Sequence, residues 1–190
     1  MKPRDPNKIE AIKKATVQLV AQHGLAAFQM SALSQLTSLG MGTIYGYFQS
    51  KEELINETFK ALKAKHTHSI YKGIDPNGIF REQFDQLCRN YITHRRRHHA
   101  EHLFIEHCQR STFLDATARQ YDAAAYQVLN QLLDKGKKEQ LVKHLPNTLL
   151  AANIIGGANL VIDQSLAGHF RLTPRTINQL VQMSWDAIQH

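Results

Sequence analysis

The chain has 190 residues and carries 23 Lys and Arg against 16 Asp and Glu, a formal net charge of +7 with its eleven histidines neutral. Apolar residues at 43% are enough to fill a core and charged residues at 21% are ordinary, which excludes an intrinsically disordered chain. The longest uncharged stretch, Leu145 to Ile162, is broken by Pro146, Asn147, Asn153, Gly156, Gly157 and Asn159, so no membrane span is expected.

No apolar leader follows the charged opening Met1 to Asp5, and the two cysteines, Cys88 and Cys108, have no CxxC spacing. A cytoplasmic location is therefore expected. The charge is unevenly spread. Residues 1–51 hold Lys2, Arg4, Lys8, Lys13, Lys14 and Lys51 against Asp5 and Glu10, a net +4. The other 139 residues carry only +3. A basic first quarter on a nearly balanced body points to a polyanionic partner.

In chain order, residues 8–22 place Ile9, Ile12, Val17, Leu19 and Val20 on one helical stripe with the lysines largely off it, and His23-Gly24 ends that helix. Met30, Leu33, Leu36, Leu39, Ile44 and Phe48 then recur at helical spacing, interrupted by Thr37, Ser38, Gly40 and Gly42. Two short helices around a tight turn, with Leu33, Leu39 and Ile44 inward, make a helix-turn-helix. Ser50 to Glu53 reads as a capping box that opens a helix running to about Tyr71. Asp75-Pro76 is read as N-cap and first turn of a helix through about Arg97, and His99 to Arg110 as a shorter one.

Thr112 to Lys138 is expected to be a long helix with Ala118, Tyr121, Ala125, Val128 and Leu132 on its apolar face. Pro146 opens a helix to about Ala167, and Thr173-Pro174 opens the last, striped by Ile177, Leu180, Val181, Ser184, Trp185 and Ile188. No strand pattern, repeat or low-complexity run appears. The expected fold class is all-α, with about nine helices.

The run Gly42-Thr-Ile-Tyr-Gly-Tyr-Phe-Gln-Ser-Lys-Glu-Glu-Leu-Ile55 resembles the TetR family of bacterial transcriptional regulators, whose recognition helix has the form G-T-(L/I)-Y-x-(Y/H)-F before a turn and S-K-E-E-L. The resemblance covers roughly residues 8–60, including the His23-Gly24 turn and the aromatic Phe28. Ser38 stands where a glycine is usual, Thr37 where alanine is usual, Met41 where a polar or basic residue is common, and Gly46 where a larger side chain is common. Gly40, Gly42 and Gly46 lower the intrinsic helicity of the recognition helix by roughly 1 kcal/mol each.

The resemblance implies a three-helix head over residues 1–50 on a helical ligand-binding and dimerisation domain over 51–190. It implies a repressor that binds a pseudo-palindromic operator as a dimer and is released by a small hydrophobic or aromatic effector. Thr43 and Tyr45, with Gly42 ahead of them, would face the major groove, and Tyr47 would reach a phosphate or base. Lys51 would neutralise a phosphate. Ser31 and Gln35 would contact backbone and base edges, and Arg4 and Lys8 the adjacent phosphates or minor groove. The homodimer would use the last two helices, through Gly156, Gly157, Leu160, Val161, Gln164, Val181 and Trp185. Effector contacts would come from Phe84, Tyr91, Phe104, His107, Phe113, Tyr121 and Tyr126, each of which reads first as core filling and only second as a ligand contact. No cofactor is implied.

His98-His-Ala-Glu-His102 fits the H-x-x-E-H pattern of inverted zinc proteases, so a metal-dependent hydrolase using His98, Glu101 and His102 is one alternative, and a helical protein-interaction scaffold another. Arg95 to Arg97 beside the run would repel a divalent cation, and solvated histidines with no metal are the ordinary expectation. Cys108 is expected to be a buried thiol.

Overall fold

The computed structural model describes residues 5–190. Among them are nine α-helices: α1 (Pro6–His23), α2 (Met30–Thr37), α3 (Met41–Tyr47), α4 (Lys51–Tyr71), α5 (Phe80–Arg97), α6 (His99–Gln109), α7 (Ala116–Lys138), α8 (Asn147–Leu166) and α9 (Pro174–Ile188). No strand occurs among the described residues; Val142 and Gln189 make one isolated bridge. The all-α expectation is borne out.

Local chemistry sets most helix ends. Asp5 caps α1, its side chain accepting from the Asn7 amide, and Pro6 fills the first turn where no amide donor is needed. Gly24 ends the helix at φ 79°, a left-handed conformation that suits glycine. The Ser50 hydroxyl accepts from the Glu53 amide at 3.0 Å, and the Glu53 carboxylate accepts in turn from the Gln49 amide. Thr173 and Thr176 form a reciprocal capping box on α9.

Two helix starts differ from expectation. Helix α5 begins at Phe80, because Asp75 closes a turn instead: its carboxylate accepts from the Asn77 amide at 2.9 Å and its carbonyl from the Gly78 amide at 3.1 Å. Helix α7 begins at Ala116, because Asp115 is the residue whose carboxylate accepts from the Ala118 amide, at 2.7 Å. The apolar face of α7 is also rotated from the expected one. Ala118, Leu129 and Leu133 are buried, whereas Tyr121 and Val128 are exposed.

The chain divides into two compact units, Met1–Lys65 with His98–Ala123, and His66–Arg97 with Ala124–His190. The head expected over residues 1–50 lies within the first unit, which also takes in most of α4, all of α6 and the start of α7. Its core is shared between these parts: Ile12, Val20, Leu33, Ile44, Phe48 and Phe59 pack with Phe104, Ile105, Cys108, Leu114 and Ala118. Helix α1 lies along α6. Asn56 of α4 binds the segment before α7 from both ends of its amide, donating to the Phe113 carbonyl and accepting from the Asp115 amide, each at 2.9 Å.

The second unit has its own core of Phe80, Phe84, Leu87, Ile92, Leu133, Ile154, Ile162, Val181 and Trp185. Arginines of α5 brace it. Arg95, fully buried, donates Nε to the Asn159 Oδ1 at 2.9 Å and Nη2 to Asp163 at 3.1 Å, while the Tyr91 hydroxyl donates to the same Asn159 oxygen at 2.6 Å. Arg96 donates to the Leu172 carbonyl at 3.0 Å, and Arg81 lies 4.7 Å from the Trp185 ring centroid. Helix α8 is long and apolar enough to cross a membrane by length and composition, despite its polar breaks. One side of it (Leu150, Ala151, Ile154, Ala158, Ile162) is buried in this core.

Candidate nucleic-acid interface

The turn between α2 and α3 is built by side chains that satisfy backbone groups. Ser38 ends α2 in the left-handed region at φ 55°, and the Ser34 hydroxyl donates to the Leu39 carbonyl at 2.7 Å. The Thr37 hydroxyl donates back to the Leu33 carbonyl at 2.8 Å. Helix α3 then starts at Met41 without a side-chain cap, its Gly40 carbonyl accepting from Thr43 and Ile44. Ile44 and Phe48 anchor it to the first unit's core.

That anchoring decides which edge stays open. Gly42, Thr43, Tyr45 and Gly46 are exposed on α3, with Tyr45 44% accessible, and Ser31 and Gln35 are exposed on α2. The structure brings five expected contacts, Ser31, Gln35, Gly42, Thr43 and Tyr45, into one helix-turn-helix, and Lys8 is exposed on α1. Arg4 lies outside the described residues. Met41, set aside in the sequence as a departure from the family pattern, also sits exposed at the start of α3. Its place next to Gly42 was the signal available for including it.

Tyr47 and Lys51 are engaged within the fold. Tyr47 is half-buried and its hydroxyl accepts from the Asp5 amide at 3.3 Å, so it joins the end of α3 to the start of α1. Lys51 donates Nζ to the Phe28 carbonyl at 2.6 Å. Its ammonium also lies 5.3 Å and 5.2 Å from the ring centroids of Phe28 and Phe113. Among the other head lysines, Lys13 donates to the Glu57 carbonyl at 3.3 Å, while Lys14 of α1 is exposed.

The expected effector contacts are not gathered in one place. Phe104 is fully buried in the first unit's core and Phe113 packs at its margin, because α6 and the segment before α7 supply that core. His107 and Tyr121 of the same unit are exposed. In the second unit Phe84 is core, 5.6 Å centroid to centroid from Trp185, Tyr91 is bonded to Asn159, and Tyr126 is exposed. Of the expected dimer residues, Gly156, Gly157, Leu160 and Gln164 are exposed and Val161 is half-buried. Val181 and Trp185 require correction. They belong to the inward stripe of α9 and are buried against Phe80, Phe84 and the rest of the second core.

The histidine run is also not the solvated face expected of it. Arg95, His94 and His102 are buried. Glu101, the acid of the H-x-x-E-H pattern, accepts from Lys65 Nζ at 2.8 Å and 3.0 Å and lies 3.4 Å from His98 Nδ1. A lysine already holds the carboxylate that a zinc hydrolase would need as its base. Cys88 and Cys108 are buried, and burial pushes both thiols up to about 12, so neither supplies a thiolate near neutral pH.

A three-helix head that presents one short helix edge, carried by a helical body with a core of its own, defines a helix-turn-helix transcriptional regulator. Residues 12–58 match the family described as bacterial regulatory proteins, tetR family, and residues 80–189 match the tetracyclin repressor-like C-terminal domain. The chain belongs to the TetR family. It is 25% identical over 191 residues to an uncharacterised helix-turn-helix transcriptional regulator of Haemophilus influenzae, covering 95% of each chain.

Its fold is similar to that of a TetR family transcription regulator from Marinobacter aquaeolei VT8, with a TM-score of 0.89 at 23% identity over 100% of this chain and 99% of that one. It is similar as well to the transcriptional regulator FadR from Bacillus subtilis in complex with stearoyl-CoA, with a TM-score of 0.70 at 17% identity over 92% and 96%.

Proposed function

We propose that the chain is a ligand-responsive repressor that binds a pseudo-palindromic operator as a homodimer and is released by a small hydrophobic or aromatic effector. The observation that carries this reading is the open edge of α3: Gly42, Thr43, Tyr45 and Gly46 exposed while Ile44 and Phe48 are buried. A helix held by its apolar side and bare on the other fits the major groove, with Thr43 and Tyr45 meeting base edges and Ser31 and Gln35 of α2 beside them. Lys8, Lys14 and the Arg4 that precedes the described residues supply phosphate neutralisation. Tyr47 ties the end of α3 to the start of α1, and Lys51 is bound to the Phe28 carbonyl.

One short helix reads only a few base pairs, so two copies are needed across a two-fold operator. The outer side of α8 supports a copy-to-copy contact there. Leu160 is 62% exposed, and a Cβ built on Gly156 or Gly157 would meet nothing within 4 Å. On α9, Met183 at 65% exposed, rather than the buried Val181 and Trp185, is the large apolar side chain open to a second copy. A second copy would cover the apolar surface that gives α8 its resemblance to a membrane segment. A hydrophobic effector is in keeping with the stearoyl-CoA bound by the Bacillus subtilis structural relative.

Fluorescence anisotropy of the protein on DNA from upstream of its own gene, at several stated salt concentrations, tests the reading. Thr43→Ala and Tyr45→Ala should each weaken specific binding while leaving the unfolding midpoint in place, and affinity should fall steeply with salt. Wild-type protein with no sequence-specific binding, or both variants binding as wild type does, would overturn it.

A further inference from the structure

We infer that His66 and His94 are two imidazole ligands of a transition-metal site in the second unit. His66 is in the C-terminal part of α4 and His94 in the last turn of α5, so both are carried by helical backbone. They are 3% and 8% exposed. Their rings pack edge to face, with centroids 4.3 Å apart and planes at 69°. A ring nitrogen of one lies within 4.8 Å of a ring nitrogen of the other.

The chemistry of that pair is restrictive. Two imidazole rings packed this closely and out of water place two nitrogen donors where one cation can reach both. Neutral imidazole is the form that ligates metals. Two nitrogens on a tetrahedral ion at about 2.0–2.1 Å stand about 3.4 Å from each other, so small side-chain rotations within the 4.8 Å limit bring both onto one centre. Imidazole donors favour zinc, cobalt, nickel and copper over magnesium or calcium. The donors grouped here are histidines with no cysteine among them, which makes this a nitrogen site rather than a thiolate one. Two protein ligands leave coordination positions for water or other donors. Metal binding by this pair is independent of the operator and effector assigned above.

The test uses untagged, chelator-treated, full-length protein titrated with cobalt(II), followed by the visible ligand-field bands and by competition with zinc(II). One ion per chain is expected, with bands characteristic of fewer than six ligands. His66→Gln and His94→Gln should each weaken binding by at least about tenfold, the loss that follows even when a supporting partner of a metal ligand is removed. Exposed controls, His23→Gln and His144→Gln, should bind as wild type does. Zinc should raise the unfolding midpoint of the wild type and not that of the two variants. The wild-type cobalt form also gives a reading that needs no variant: hyperfine-shifted imidazole N–H resonances should appear in its proton spectrum. Binding unchanged in both glutamine variants, or a stoichiometric cobalt form without such resonances, would overturn the inference.

Discussion

Glycine occurs three times in and just before α3 and once near the end of α7, and the two regions use it for opposite purposes. A Cβ added to Gly40, Gly42 or Gly46 would meet nothing within 4 Å. A Cβ on Gly136 would come within 2.6 Å of the Phe80 ring and of the Val142 Cγ2. The first set leaves a helix edge bare toward the outside of the molecule. Gly136, by contrast, lets a helix backbone lie directly on an aromatic ring in the second core. Both regions lose helix propensity to glycine, and only one of them recovers it in packing.

The largest test of that contrast is Gly136→Ala. Phe80 is 1% exposed with little room to shift, so overpacking should cost about 2–3 kcal/mol and lower the midpoint of thermal unfolding by about 4–10 °C. If stability is unchanged, the close approach at Gly136 is not a constraint and the contrast fails. Next in size is Lys51→Ala, which removes the charge-assisted bond to the Phe28 carbonyl; about 1 kcal/mol of stability should go, read by urea unfolding.

Gly46→Ala should act in the other direction. With open space around the position, one residue before the end of α3, it should raise stability by about 0.5 kcal/mol in the same assay. Its effect on operator affinity then reports whether a bare edge is needed there. Smallest is Ser38→Gly, which relieves the left-handed strain at φ 55° but frees the unfolded chain, for a net gain of a few tenths of a kcal/mol.

Much of this architecture was legible in the chain because it depends on local chemistry. The capping box at Ser50 placed the start of α4, and the inward positions Leu33 and Ile44 fixed which edge of α3 is open. Asp75-Pro76 looked like a helix start because the sequence does not distinguish an Asp that caps a helix from one that closes a turn onto Asn77 and Gly78. The expected face of α7 was rotated because half of its residues lie exposed, so Tyr121 and Val128 carried apolar periodicity without burial.

The harder residues depend on partners far along the chain. Nothing near Phe104 indicates that α6 completes the core of a head formed by α1 to α4. Nothing beside Arg95 indicates that Asn159 and Asp163, more than sixty positions later, make burial of a guanidinium affordable. Tyr47 and Lys51 carried the strongest family signal and yet have their polar atoms on Asp5 and Phe28, which only the folded chain brings near.

The bond from Lys51 to Phe28 also bears on how the head opens. It closes a ring of chain that contains all of α2 and α3, the shortest helices of the nine. Helices of eight and seven residues fray readily by themselves, and their amides would exchange with solvent through many small independent openings. Clipped by an ammonium that also lies near two rings, they should instead exchange as one block with the first turn of α4. A Lys51→Ala chain would then show that block dividing into separately exchanging pieces.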